Sequence, residues 1–172
     1  MENKLFNSVF ETQLRLLLLL NAGKRNWYSL GRLVLLDFII CSKYVFGLLH
    51  SMSHAFIRTA GEISGLSGNS LTEIIIVETA SIFMYAQTTQ AVPLGALSGM
   101  AENNYAQFLN KVHTETRNCV FDPICTERDD TSCSACLIIP EISCNHFNNE
   151  LGRKYLYTID TMENPLVGFW EM

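Results

Sequence analysis

The residues best equipped for chemistry lie close together: five of the chain's six cysteines fall between Cys119 and Cys144. The stretch opens Cys119-Val-Phe-Asp-Pro-Ile-Cys125, centres on Cys133-Ser-Ala-Cys136 and closes at Cys144. A C-x2-C turn aims two thiolates at one point. The flanking loops, with seven intervening residues on each side, each bring one more. That is the donor set of tetrahedral zinc, whose thiolates sit about 2.3 Å from the metal. Symmetry about the central pair makes Cys125, Cys133, Cys136 and Cys144 the expected Zn2+ ligands and leaves Cys119 spare. A thioredoxin-like redox pair, the reading for a thiol sensor at Cys133 and Cys136, belongs where a strand turns into a helix. Cys133 instead follows a polar loop. A disulfide framework needs an oxidising compartment.

A second group of candidates lies upstream. His50 and His54 are four residues apart, hence on one helix face, and Arg58 extends the row by a turn. Ser51 stands where a zinc protease carries its catalytic glutamate, so that motif is absent. The expectation is a pair of hydrogen-bonded histidines near the core without a second metal, and Arg58 reaching a carboxylate or carbonyl. A hydrolytic site using His50, His54 and Glu78 is the rival from another class. An isolated carboxylate at a strand end is more often solvated. Leu94-Gly-Ala-Leu-Ser-Gly99 lacks the ending of a phosphate-binding loop and reads as a tight turn.

These residues must be positioned by a chain of 172 residues, near the common size of one domain. Apolar residues make up 48%, enough for a sizeable core. A net charge of −5 opposes independent nucleic-acid binding, which needs a basic face. The run Leu16–Leu20 is too short for a signal peptide, and Leu33–Leu49 carries Asp37 and Lys43, against a membrane span. A cytoplasmic protein is expected.

Apolar spacing predicts a helix over residues 1–20 and a second, largely buried one from Ser29 or Leu30 to about Gly61. A Gly/Ser-rich break follows. Leu71–Val77 suits a buried strand and Ser81–Gln87 another. A helix capped at Asn103 or Asn104 then carries Tyr105, Phe108, Leu109 and Val112 towards Cys119. Beyond Cys144 a short helix or turn is expected. Phe169 and Trp170 stay exposed unless a partner or the core covers them. The fold class is α+β: a mainly helical single domain with a small sheet, closed by a four-cysteine zinc knuckle.

Leu48-Leu-His-Ser-Met-Ser-His-Ala-Phe-Ile-Arg58, Pro93-Leu-Gly-Ala-Leu97, Asp122-Pro-Ile-Cys125, Ser132-Cys-Ser-Ala-Cys-Leu137, Pro140-Glu-Ile-Ser-Cys144 and Phe147-Asn-Asn-Glu-Leu-Gly-Arg153 together resemble, in order, the MrfA-type zinc-binding domain. That domain occurs at the C-terminal end of MrfA-like DNA-repair helicases and in DrmB of the DISARM anti-phage defence system, whose version looks closest. The resemblance covers roughly residues 45–156, between an N-terminal helical region, 1–44, and a tail, 157–172. Two departures stand out: Ser134 where members often have histidine, and Gly152 where they tend to have aspartate. Neither removes a thiolate. A Walker A sequence is absent, and the chain is too short for two motor lobes. The resemblance therefore implies a non-enzymatic accessory subunit that docks on a helicase-type motor or another defence-system subunit and meets DNA only through that complex.

Overall fold

The computed structural model describes residues 27–87, 95–128, 130–159 and 167–171, with residues 27–41 and 68 as backbone only. The helix expected over residues 1–20 lies outside them. The chain falls into two units, Met1–Val45 and Phe46–Met172. The first contributes the opening of helix α1, which runs Trp27–Ser64. Everything below belongs to the second.

From Gly47 to Gly61 α1 is buried on several sides, with Leu49, Ala55, Ile57 and Ala60 in the core beside buried His50, Ser51, Ser53, His54 and Thr59. A helix so enclosed must pair its polar groups internally. Gly47 and Ser51, one turn apart, form a small step. The Tyr155 ring lies so close over Gly47 that a Cβ there would come within 2.5 Å of it. The Gly152 amide donates to Ser51 Oγ at 2.9 Å. The helix stops at Gly65, whose φ of +70° is the left-handed cap position that glycine occupies without strain.

Strands β1 (Leu71–Ile76) and β2 (Ser81–Ala86) pair antiparallel, Glu73 opposite Met84 and Ile74 opposite Phe83. Period-two alternation sends Leu71, Glu73 and Ile75 to one face and Ile74 and Ile76 to the other. Ile74, Ile76, Phe83 and Tyr85 are exposed. The expectation of a buried strand holds only for Leu71, Thr72 and Glu73, the end of β1 where Thr72 bonds the Ser143 carbonyl and Glu73 accepts from Ser53 and Asn145.

Helix α2 (Ala96–Asn103) follows Gly95, and α3 (Tyr105–Glu115) follows after a break at Asn104. Met100, Phe108 and Val112 enter the core, while Tyr105 is exposed. Phe56 of α1 and Phe108 of α3 pack with ring centroids 5.4 Å apart. The helix at Ala96–Asn103 replaces the expected tight turn. Gly99 argues against helix locally by about 1 kcal/mol, and the burial of Met100 offsets that cost.

From Cys119 onward the described residues form turns, with 3-10 turns at Arg153–Tyr155 and Phe169–Glu171. Trp170 packs against the core, its amide donating to the Leu156 carbonyl at 2.9 Å, so the core itself covers this residue of the expected tail. The architecture is α+β, with three helices and a two-stranded sheet among the described residues. None of those helices is long and apolar enough to cross a membrane.

Candidate metal centres

Four buried cysteines, Cys119, Cys125, Cys133 and Cys136, bring their sulfurs within 4.8 Å of one another. Cys119 and Cys133 are 3.5 Å apart, and Cys136 is 3.7 Å from both Cys125 and Cys133. Four sulfurs about 2.3 Å from a tetrahedral ion stand about 3.8 Å apart, close to these three separations. Amides already point at the sulfurs, Cys133 N at Cys136 Sγ (3.2 Å) and Phe121 N at Cys119 Sγ (3.4 Å). These four cysteines could hold a metal ion.

The electrostatics agree. Burial resists ionisation of Cys133, but the Ala135 amide and the neighbouring thiols outweigh it and bring its pKa down to about 7. Burial pushes the Cys136 thiol up, and also that of Cys125. One thiolate forms readily and a second is resisted. Four can coexist when a cation compensates them.

The structure groups Cys119, which symmetry sets aside, with Cys125, Cys133 and Cys136, and carries Cys144 elsewhere. The loop that delivers Cys119 is built for it. Its amide donates to Asp122 Oδ2 at 2.8 Å, and Arg153, only 1% exposed, forks onto both oxygens of the same carboxylate. The guanidinium holds the Asp122 carboxyl below its ordinary range even though burial acts the other way. Arg58 of α1 grips the turn from another side, donating to the carbonyls of Ser134, Ala135 and Ile138 at 2.9–3.2 Å. Reaching a carbonyl is one of the roles its position in the row suggests.

Cys144 sits instead with His50, His54 and Glu73, all buried, their donor atoms again within 4.8 Å of one another. His50 Nε2 is 3.3 Å from Cys144 Sγ and 3.3 Å from Glu73 Oε1. His54 Nε2 is also 3.3 Å from Glu73 Oε1, while its Nδ1 meets the Leu137 carbonyl at 2.9 Å. Ser53 donates to Glu73 Oε2. The amides of His146 and Asn148 point at Cys144 Sγ from 3.3 and 3.2 Å. Burial works to raise the Glu73 pKa, yet His50, His54 and Ser53 hold it at about 2. Burial likewise opposes the charged form of His50, and Cys144 and Glu73 raise its pKa on balance.

The long excursion of Cys144 has local causes. Thr72 Oγ1 donates to the Ser143 carbonyl at 3.1 Å and Asn145 Nδ2 to the Glu73 carbonyl at 2.8 Å, which fastens the loop to β1. The Asn148 side chain bonds both the amide and the carbonyl of Ile139. Glu78 lies exposed on the hairpin turn and joins neither cluster. Glu73, which sequence reasoning missed, carries a legible signal. It is the one charge in Leu71-Thr-Glu-Ile-Ile-Ile76, and alternation places it on the face of Leu71 and Ile75.

The family model for the ABC-three component (ABC-3C) system Middle Component 2 aligns with residues 5–117. The chain belongs to this family. The Middle Component 2 match takes in His50, His54 and Glu73 and ends two residues before Cys119. It overlaps the MrfA-type resemblance over residues 45–117, and the two name different families. No curated protein matches the chain.

Proposed function

We propose that this Middle Component 2 protein is a zinc-stabilised accessory subunit of a bacterial defence system, acting through a larger partner. Membership of a family of middle components in a three-component system carries the reading. Zinc is the metal that four thiolates in tetrahedral array suit best. Cys119, Cys125, Cys133 and Cys136 would hold it, and their four sulfurs fill its shell. A closed site of that kind supports a fold rather than a reaction.

The exposed face of the ribbon, Ile74, Ile76, Phe83 and Tyr85, is the docking surface in this reading. Its occupant is another component of the system, and ATP hydrolysis and any grip on DNA belong to that partner. The MrfA-type resemblance points to a helicase-type motor for this role. The net charge of −5 supports indirect rather than autonomous contact with DNA.

Co-expression with the other two components tests the reading. A stable complex that is lost on Phe83→Asp, with the isolated chain still folded, is the expected result. Tight, salt-sensitive DNA binding by the isolated chain, with no co-purifying component, would overturn it. Copurification with an ABC component but no helicase would remove the helicase identity alone.

A further inference from the structure

We propose that His50, His54, Glu73 and Cys144 form a second metal site that takes a divalent transition ion, zinc above all. It is separate from the tetrathiolate and does not depend on the defence-system reading. The donor set is two imidazoles, a carboxylate and a thiolate, a combination that suits zinc.

Ligands 2.0–2.3 Å from a tetrahedral zinc stand apart by about 3.4 Å for a nitrogen–oxygen edge and about 3.6 Å for a nitrogen–sulfur edge. The observed nitrogen–oxygen separations are both 3.3 Å, and His50 Nε2 to Cys144 Sγ is 3.3 Å. These three edges depart from the tetrahedral values by about 0.3 Å or less, and all four donors lie within 4.8 Å of one another.

His54 donates its Nδ1–H to the Leu137 carbonyl, so in the neutral ring Nε2 bears a lone pair. That lone pair faces Glu73 Oε1, another acceptor, and neither atom has a hydrogen-bond partner although both residues are fully buried. Two buried acceptors aimed at each other are costly unless something positive lies between them. A metal ion satisfies both, together with His50 Nε2 and the Cys144 thiolate, whose proton is released on binding.

The surroundings resemble a metal's outer shell. A carbonyl fixes the tautomer of His54, the Ser53 hydroxyl holds the far oxygen of Glu73, and two amides point at Cys144 Sγ. All four donors come from the protein and all are buried, so the site is closed. Its ion joins α1, β1 and the Cys144 loop. This goes against the expectation of a metal-free histidine pair.

Metal content of the purified full chain by mass spectrometry, with zinc X-ray absorption, tests the proposal. The expected result is two zinc ions per chain, with five sulfur and three nitrogen or oxygen donors shared between them. Glu73→Gln, which keeps the shape and removes the charge, should drop the chain to one zinc in an all-sulfur shell. One zinc in an all-sulfur shell in the wild type overturns the proposal. Retention of both ions by Glu73→Gln overturns the role of the carboxylate. One zinc in a shell of one sulfur and three lighter donors supports this site and overturns the tetrathiolate. The wild-type measurements decide the matter even if the variant fails to fold.

Discussion

His54 donates its Nδ1–H to the carbonyl of Leu137 at 2.9 Å, and Leu137 directly follows Cys136 in the chain. One hydrogen bond thus ties a residue of the His/Glu cluster to the backbone that carries a thiol of the other. Arg58, one turn further along α1, grips three more carbonyls of the same turn. The helix therefore sets the position of the C-x2-C turn as much as the turn's own residues do.

Removing that grip should be costly. Arg58→Ala is expected to lower stability by about 2 kcal/mol, the range for hydrogen bonds made by a charged group. It should also speed zinc transfer to a chelator. Arg58→Lys, which lacks the fork, should recover only part of the loss. Urea unfolding and chelator-release kinetics on the three proteins check this.

The cysteine grouping reverses the roles that symmetry about the central pair assigns to Cys119 and Cys144. Cys119→Ser should lose the tetrathiolate spectrum in the cobalt-substituted protein and unfold readily, because a structural site of this kind supplies on the order of 10 kcal/mol of folding free energy. Cys144→Ser should keep that spectrum. The opposite pattern would return Cys144 to the set that symmetry about the central pair suggests.

Arg153 and Asp122 should behave as an ion pair with one deeply buried member, at 1% and 28% exposure. Asp122→Ala leaves the guanidinium buried and uncompensated, at an expected cost of about 3 kcal/mol. It also frees the Cys119 amide. Chemical denaturation gives the cost, and zinc affinity should fall with it. An unchanged midpoint would show that the pair does not hold the Cys119 loop.

Tyr157 supplies a pH signature away from both clusters. Burial raises its pKa above 10.0, and its hydroxyl donates to the His113 carbonyl. The folded protein favours the neutral phenol. Its contribution is complete below pH 10, and falls as pH rises through the value for the unfolded chain towards the folded one. Stability curves from pH 8 to 11 should show this loss in the wild type and a shallower one in Tyr157→Phe.

By itself the sequence determined the elements with strong local patterns. The apolar periodicity of α1 and the stripe on α3 follow from repeats that a helix buries on one face, and β1 from an isoleucine- and valine-rich run that suits a strand. It also determined that Cys133 and Cys136 face one point and that His50 and His54 share a helix face, since both follow from spacing within a turn. Tertiary structure decided which partners those pairs receive. Cys125 and Cys144 are equidistant from the central pair, and that local symmetry selects Cys144 where the fold selects Cys119. The choice rests on contacts across long stretches of chain, with Arg153 on Asp122 drawing Cys119 in and Thr72 and Asn145 drawing Cys144 to β1. Glu73 joined the histidines for the same reason. Its burial depends on how the ribbon packs, and packing between segments distant in sequence is settled only when the whole core closes.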